Sequence, residues 1–256
     1  MSIFKEIKCF YDNFNGEKQI IGKSVKGKPL YAFAVCKTNR PVILVQGAIH
    51  AREYVTAKVC IKLARHFLEF GKSGTVWFIP LINPDGAEIV RKFNKLYKAN
   101  ANGVDLNVNF PAKWGKGVSN VFIKGDENFV GKYPLSEPES RALCDFTLKV
   151  LPNMTISYHT KGEEIYWEFF QKGKRYFKDK KLALIASQTT GYPLKTVKGS
   201  CGGYKDWCIE KLKIPALTIE VGSDDLTHPI GLEKADEIFI KNKDLLMNLI
   251  VGLENL

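Results

Sequence analysis

The sequence predicts an α/β fold: a single three-layer αβα domain with a mixed, mainly parallel twisted sheet. Apolar segments of strand length alternate along the chain with segments of helical periodicity, a pattern typical of a sheet covered by helices on both faces. The chain has 256 residues, which is enough for one large domain with a sizeable core. No internal repeat, low-complexity tract or long linker divides it, so residues 1–256 are expected to form one domain.

Several segments have the composition of buried β-strands. Residues 41–49 are almost continuously apolar, as expected for a strand that is covered on both faces. Residues 75–82 are similar and end at the turn sequence Asn83-Pro84-Asp85-Gly86. The predicted strands are Tyr31–Cys36, Pro41–Ile49, Thr75–Ile82, Asn153–His159, Glu164–Phe169 and Pro215–Val221.

Helices are predicted between these strands. Apolar residues recur at helical spacing within Glu53–Phe70. The sequence Ser136-Glu137-Pro138-Glu139 has the spacing of a capping box, which predicts a helix from there to about Val150. The other predicted helices are Tyr176–Thr190, a short helix through Trp207 and Leu212 after the glycine-rich turn Gly199–Gly203, and Ala235–Leu253.

The composition is that of a globular protein with an excess of positive charge. Apolar residues make up 45% and charged residues 25%, which excludes disordered and fibrous classes. No apolar run reaches the roughly 18 residues of a membrane span. Lys and Arg number 38 against 27 Asp and Glu, a net charge of +11. This charge fits either a solvated lysine-rich surface or an acidic partner, and it cannot separate the two.

The cysteines and the start of the chain favour a reducing compartment. The six cysteines include no C-x-x-C pair and no zinc-finger spacing. The first residues contain no apolar region typical of a secretory signal. We therefore expect reduced, mostly buried thiols and a cytoplasmic protein. No nucleic-acid-binding motif is found, and the sequence does not predict an oligomeric state.

The histidines give the first indication of chemistry. His50 follows an apolar strand and precedes Glu53 by three residues, a spacing that lets both side chains reach one metal ion. The same spacing also suits a strand end followed by an acidic first helical turn. His159 likewise ends a predicted strand, and the carboxyl ends of parallel strands meet at one edge of a sheet. Two histidines and one glutamate form the ligand set of a catalytic zinc site with an open position.

Glu220 ends an otherwise apolar strand. A carboxylate there is costly unless it is paired or used. Beside a metal ion it would serve as a general base, and a structural ion pair is the alternative. Of the other histidines, His66 lies among apolar residues of a predicted helix and is interpreted as a packing or surface residue. His228 precedes a proline in a polar loop and receives no role.

Several segments carry a resemblance to the zinc metallocarboxypeptidase family. Gly47–Glu53 resembles the family's G-x-H-A-R-E zinc segment, and Asn83–Gly86 and Gly103–Asn107 follow in the family's order. His159 matches the third zinc ligand, and the strand end Thr218–Glu220 matches the catalytic glutamate. The resemblance extends from about residue 20 to the C-terminal helix, nearly the whole chain.

The resemblance implies a role for each matched position. His50, Glu53 and His159 would bind one Zn²⁺ per chain. Glu220 would take a proton from the attacking water and deliver it to the leaving amine. Asp105 would orient His50. Lys98 would polarise the scissile carbonyl in place of the usual arginine, with Arg91 as the alternative. Arg52 and Asn107 would contact the substrate.

Two positions depart from the family pattern. Val108 stands where the family has the arginine that binds the terminal carboxylate of the substrate. The tyrosine that usually covers the substrate would fall near Lys198, where no tyrosine is found. Without a bidentate carboxylate clamp, simple removal of a C-terminal residue is disfavoured, unless Lys205 or Lys161 replaces the arginine.

Three parts of the chain that include or flank these departures are Gly103–Pro111, Tyr158–Gly162 with Ile165–Trp167, and Gly202–Trp207. They resemble one branch of the family, the bacterial γ-D-glutamyl-diamino acid peptidases, which cut the γ-D-Glu–diaminopimelate bond in peptidoglycan stem peptides. The resemblance places Asp206 in the leaving-group pocket, where it would pair with the side-chain amine of a diamino acid; a contact at a helix N-terminus is the alternative. The chain contains no wall-binding repeats, so no separate cell-wall-binding domain is expected.

The expected function is therefore zinc-dependent hydrolysis of the γ-D-glutamyl-diaminopimelate (or lysine) bond, with a peptidoglycan-derived peptide as substrate and neither nucleic acid nor membrane as partner. A true metallocarboxypeptidase or amidase that releases C-terminal residues is the first alternative. A non-catalytic module that binds an anionic polymer through the +11 charge is the second. In the cytoplasm such an enzyme would recycle wall peptides, whereas lysis or a spore would bring it to the wall itself.

Overall fold

Eight strands form one mixed sheet in the computed structural model, which describes residues 1–256. The strands are β1 (Lys18–Lys23), β2 (Pro29–Cys36), β3 (Val42–Gly47), β4 (Thr75–Ile79), β5 (Met154–His159), β6 (Glu164–Tyr166), β7 (Leu194–Lys195) and β8 (Ala216–Glu220). Their order across the sheet is β1-β2-β4-β3-β5-β8-β6-β7. The four consecutive central strands, from β4 to β8, pair in parallel, while β1–β2, β2–β4 and β6–β8 are antiparallel. The predicted mixed, mainly parallel sheet is confirmed.

Helices cover both faces of the sheet. They are α1 (Ile3–Asn13), α2 (Val55–Phe70), α3 (Pro84–Lys92), α4 (Pro138–Val150), α5 (Gly173–Thr190), α6 (Tyr204–Trp207), α7 (Ala235–Asn242) and α8 (Leu245–Glu254). The larger apolar core lies between the sheet and α1, α2, α5, α7 and α8. The smaller core lies on the opposite face, under α4 and α6. None of the helices combines the length and apolar character needed to cross a bilayer.

The central strands explain where polar side chains can be used. Every residue of β3 and β5 is buried, and Val42, Ile43, Leu44 and Val45 supply apolar side chains to both cores. Because these strands are parallel, their carboxyl ends lie at one edge of the sheet.

The predicted capping box at Ser136 is wrong. Helix α4 begins at Pro138, its N-cap residue is Glu137, and no side chain caps it. Glu139, the acid of the supposed box, instead accepts hydrogen bonds from the backbone N–H of Val25 at 3.0 Å and from the Asn100 amide at 3.0 Å. Contacts with residues distant in the chain therefore occupy the carboxylate that a capping box requires.

The predicted C-terminal helix Ala235–Leu253 is divided into two helices, α7 and α8. Asn242 ends α7, and its buried side chain donates a hydrogen bond to the backbone carbonyl of Ile238 at 2.9 Å. Such a bond from a side chain to the backbone competes with continuation of a helix. The predicted strand Glu164–Phe169 is also shorter, because β6 ends at Tyr166.

Other elements were not predicted from the sequence. They are α1, the edge strand β1, the two-residue strand β7 and α3, whose first turn was predicted only as a turn. Asn83 is the N-cap of α3: its side-chain oxygen accepts the N–H of Gly86 at 2.9 Å. All cysteines are free thiols, and those other than Cys9 and Cys36 are buried.

Candidate active site

The residues predicted to bind the metal and to act as the base lie together at the carboxyl ends of the parallel strands. β3 is followed directly by the loop that contains His50, and β5 and β8 end at His159 and Glu220. His159 and Glu220 are paired residues in the register of β5 and β8. Glu53 lies in a short 3₁₀ turn, Ala51–Glu53, which places it one turn beyond His50.

Three buried side chains converge on one point. Nδ1 of His50 lies 2.9 Å from Oε1 of Glu53, and Nδ1 of His159 lies 3.0 Å from Oε2 of Glu53. The two ring nitrogens lie 3.1 Å apart. Donors that share one zinc ion at about 2.0–2.1 Å are separated by roughly 3.3 Å, so the spacing and the N, N, O donor set fit a zinc ion. The group formed by His50, Glu53 and His159 is placed to bind a metal.

Asp105 and Lys98 contact this group from one side. Oδ1 of Asp105 lies 3.2 Å from Nε2 of His50 and accepts the backbone N–H of Asn107 at 2.9 Å. Oδ2 lies 2.8 Å from Nζ of Lys98, and this ammonium also donates to Oδ1 of Asn128 at 2.7 Å. Lys98 and His50 line the same cavity of about 290 Å³. An ammonium is therefore available beside the metal group.

Arg91, the alternative to Lys98, lies elsewhere. It is an exposed residue of α3, and its guanidinium contacts Glu88 at 2.9 Å. It does not line the cavity that contains His50. The geometry therefore favours Lys98 as the cation next to the reacting groups.

Burial and neighbouring charges shift the pKa values of these residues. Burial disfavours the charged form of His50, but the carboxylates of Glu53 and Asp105 outweigh it and raise its pKa to about 9. Burial also opposes ionisation of Asp105, yet Lys98 and His50 hold its pKa well below the usual range. For His159 burial dominates, and its pKa is lowered.

Glu220 is partly buried and forms no ion pair in the structure. Burial, followed by the charge of Glu53, raises its pKa. It lines a second cavity, of about 180 Å³, together with Asn107 and Asp206. A carboxylate without a cationic partner, at the edge of a cavity and next to a metal ligand in the sheet, has the position of a general base.

The two residues expected to contact substrate, Arg52 and Asn107, already form hydrogen bonds within the protein. Arg52 donates to the carbonyl of Leu96 at 3.1 Å and to Oε1 of Glu127 at 3.0 Å, so its guanidinium is already held. Asn107 lines both cavities, and its side-chain oxygen accepts the N–H of Tyr204 at 3.2 Å.

The two positions that depart from the family pattern and the two lysines considered as replacements for the arginine lie in different parts of the site. Val108 and Lys198 line the cavity of His50. Lys161 contacts the exposed Asp224. Lys205 lines the other cavity, where its Nζ lies 2.7 Å from Oδ1 of Asp206.

His228, to which the sequence assigns no role, contacts the residue that follows a predicted metal ligand. Its Nε2 lies 2.9 Å from the hydroxyl and 3.2 Å from the carbonyl of Thr160, the residue after His159. Nothing in its local sequence indicates this contact, which spans 68 residues of the chain. His66, by contrast, packs against the rings of Phe70 and Phe239, as predicted for a packing residue.

Comparison with known proteins identifies the family. The family model described as zinc carboxypeptidase matches residues 14–240. The chain belongs to the zinc carboxypeptidase family. The metal group of His50, Glu53 and His159 is accordingly the place for the single zinc ion that this family uses.

The individual proteins that this chain resembles have names that describe different activities. The chain is 27% identical to gamma-D-glutamyl-L-diamino acid endopeptidase 1 of Lysinibacillus sphaericus, over 93% of this chain and 68% of that protein. The crystal structure of murein-tripeptide amidase MpaA from Escherichia coli O157 aligns with a TM-score of 0.67 and 26% identity, covering 94% of this chain and 95% of that one. Bovine thrombin-activatable fibrinolysis inhibitor has the same fold, with a TM-score of 0.86, 22% identity and coverage of 99% and 95% of the two chains.

Proposed function

We propose that this zinc peptidase hydrolyses the γ-D-glutamyl-diaminopimelate (or lysine) bond of peptidoglycan stem peptides. The observation that carries the proposal is Val108, which follows Asn107 at the position where a carboxypeptidase has its carboxylate-binding arginine. Without that planar fork, a free terminal carboxylate has no bidentate partner at this position. The names of the endopeptidase from Lysinibacillus sphaericus and of murein-tripeptide amidase support the same substrate class.

The side chains of the site divide the work of the reaction. Zinc, when bound by His50, Glu53 and His159, supplies Lewis-acid polarisation and lowers the pKa of a water molecule at the site. Glu220 accepts a proton from the attacking water and returns it to the leaving amine. Lys98 supports the negative charge that develops on the carbonyl oxygen, since its ammonium lines the cavity of His50.

Digestion of a defined stem peptide tests the proposal. Purified protein is incubated with L-Ala-γ-D-Glu-meso-diaminopimelate-D-Ala, with zinc or with a chelator, and the products are identified by mass spectrometry. We expect zinc-dependent release of L-Ala-D-Glu. Loss of D-Ala alone would identify a carboxypeptidase, and the absence of zinc-dependent cleavage would contradict the proposal.

A matched pair of variants shows whether Glu220 is responsible. Glu220→Gln removes the base and should lower kcat by about a hundredfold to ten-thousandfold while zinc content stays the same. Glu69→Gln makes the same chemical change at an exposed position of α2 and should retain full activity. Full activity of Glu220→Gln would exclude its assignment as the base.

A further inference from the structure

The cavity beside Glu220 contains an ion pair that the proposed reaction does not use. Nζ of Lys205 lies 2.7 Å from Oδ1 of Asp206, and both residues line the cavity of about 180 Å³. Asp206 is 3% exposed, and the side chain of Lys205 retains 13% of its exposure. The ring of Phe169, another lining residue, lies 5.5 Å from the ammonium. The pair is therefore largely withdrawn from water but accessible from the cavity.

Both members of the pair have hydrogen-bonding capacity left. The ammonium of Lys205 has three donors, of which one faces Asp206 and one donates to the carbonyl of Glu168 at 3.0 Å. Oδ2 of Asp206 accepts the backbone N–H of Gly203 at 3.1 Å. Each carboxylate oxygen has a second acceptor site. A ligand could thus donate to Asp206 from an ammonium and accept from Lys205 with a carboxylate.

We infer that Lys205 and Asp206 together select a leaving group whose side chain ends in both an ammonium and a carboxylate. Diaminopimelate has this zwitterionic end, whereas lysine has only the ammonium. The inference rests on the proposed function and makes Lys205 a specificity-determining residue. A polar site built for two groups favours the ligand that supplies both, because a ligand that lacks one leaves a hydrogen-bonding position of the pair unfilled.

Replacement of the family's arginine is a different role for Lys205, and the geometry disfavours it. Val108 lines the cavity that contains His50 and Lys98, and Lys205 is not among the residues of that cavity. The ammonium of Lys205 is instead held by Asp206 and by the backbone next to Phe169. Its charge is therefore located in the cavity beside Glu220, not beside Val108.

Two substrates that differ in one carboxylate test the inference. These are L-Ala-γ-D-Glu-meso-diaminopimelate and L-Ala-γ-D-Glu-L-Lys, each with the carboxyl group on the reacting residue amidated. We expect kcat/KM to favour diaminopimelate by roughly tenfold to hundredfold, the range for a hydrogen bond to a charged group. Lys205→Met should bring the ratio of the two values close to one, and Lys205→Arg should preserve most of it. Lys211→Met, an exposed control, should leave both values unchanged.

The possible outcomes separate the inference from the proposed function. If zinc-loaded protein cleaves neither substrate, the proposed function fails. If it cleaves both equally well, or if the preference survives Lys205→Met, only the inference is overturned. An effect of Lys205→Met confined to substrates with a free carboxyl group on the reacting residue would assign Lys205 to the terminal carboxylate and also overturn it.

A measurement on the unaltered protein covers the case in which Lys205→Met does not fold. meso-Diaminopimelate amidated at its L-centre carboxyl group and L-lysinamide are compared as inhibitors of cleavage, so that only the diaminopimelate derivative keeps a carboxylate. Diaminopimelate should inhibit at a concentration roughly tenfold lower or more, since only it can engage both members of the pair. Equal inhibition by the two amino acids would contradict the inference.

Discussion

Oδ1 of Asp105 lies 3.2 Å from Nε2 of His50, on the opposite side of the ring from the Nδ1 that faces Glu53. In the neutral ring, a hydrogen bond from Nε2–H to this carboxylate makes Nδ1 the nitrogen without a proton, which is the one able to bind zinc. The other oxygen of Asp105 lies 2.8 Å from Lys98. One buried carboxylate thus fixes both a metal ligand and the neighbouring cation.

Replacement of Asp105 should weaken zinc binding more than it weakens the fold. We expect Asp105→Asn to lower zinc affinity by about tenfold to hundredfold, because the amide no longer fixes the orientation and tautomer of His50. Competition with a chromophoric chelator measures this affinity. Asp126→Asn makes the same change at an exposed position and should bind zinc normally. Unchanged affinity in Asp105→Asn would contradict the role given to this contact.

Lys98 and Arg91 offer a direct comparison of the two candidate cations. Lys98→Met should lower kcat/KM by about a hundredfold to a thousandfold, the usual loss when one donor to a developing oxyanion is removed. Lys98→Arg, which keeps the charge, should recover part of the activity. Arg91→Met should leave kcat/KM unchanged, because its guanidinium pairs with Glu88 and the residue does not line the cavity that contains His50. The reverse pattern would assign the role to Arg91. All variants are assayed after zinc content has been verified.

The sequence was sufficient to predict the sheet edge but not the contacts behind it. His50, His159 and Glu220 end apolar strands, so the parallel arrangement alone brings them together. The edge strand β1 was missed because lysines stand at both its ends and none of its residues is fully buried. Glu139 accepts hydrogen bonds from Val25 and Asn100, which lie far from it in the chain, so no local sequence pattern indicates these contacts. The same reason explains why the contact between His228 and Thr160 was not predicted.

Asn83 shows how one residue outside the site positions two segments of it. Its Nδ2 donates to the carbonyl of Ile49 at 3.2 Å and to the carbonyl of Ala99 at 3.0 Å, while Oδ1 caps α3. Ile49 precedes His50, and Ala99 follows Lys98. The sequence around Asn83 predicts only a turn and does not indicate that the side chain of Asn83 is fully buried.

Removal of this side chain should destabilise the protein. Asn83→Ala should lower the free energy of unfolding by about 2–4 kcal/mol, because it removes a cap and leaves one buried and one partly buried carbonyl without a donor. Asn83→Asp keeps the acceptor for α3 but loses the donors, so it should also be destabilised. Urea denaturation of the metal-free proteins measures the effect, with Asn39→Ala as an exposed control. A change of less than about 0.5 kcal/mol, the usual range for surface substitutions, would show that these bonds are dispensable.

The charge of His50 makes zinc binding dependent on pH. In the metal-free protein burial opposes protonation of His50, but Glu53 and Asp105 raise its pKa to about 9, while burial lowers the pKa of His159. Near pH 7 zinc must therefore displace a proton from His50. The apparent association constant should rise about tenfold per pH unit from pH 7 to about pH 9 and then level off.

The displaced proton can be counted by calorimetry in buffers with different ionisation enthalpies. We expect release of close to one proton per zinc near neutral pH. His66→Asn, at a histidine that packs on Phe70, should show the same release.

The free energy of unfolding of the metal-free protein should also depend on pH through His50. Because the pKa of His50 is raised from 6.5 to about 9, its contribution is complete below pH 6.5 and is lost as the pH rises to about 9. The free energy of unfolding should fall across this interval without zinc. A zinc affinity independent of pH between 7 and 9 would mean that His50 is already neutral in the metal-free site.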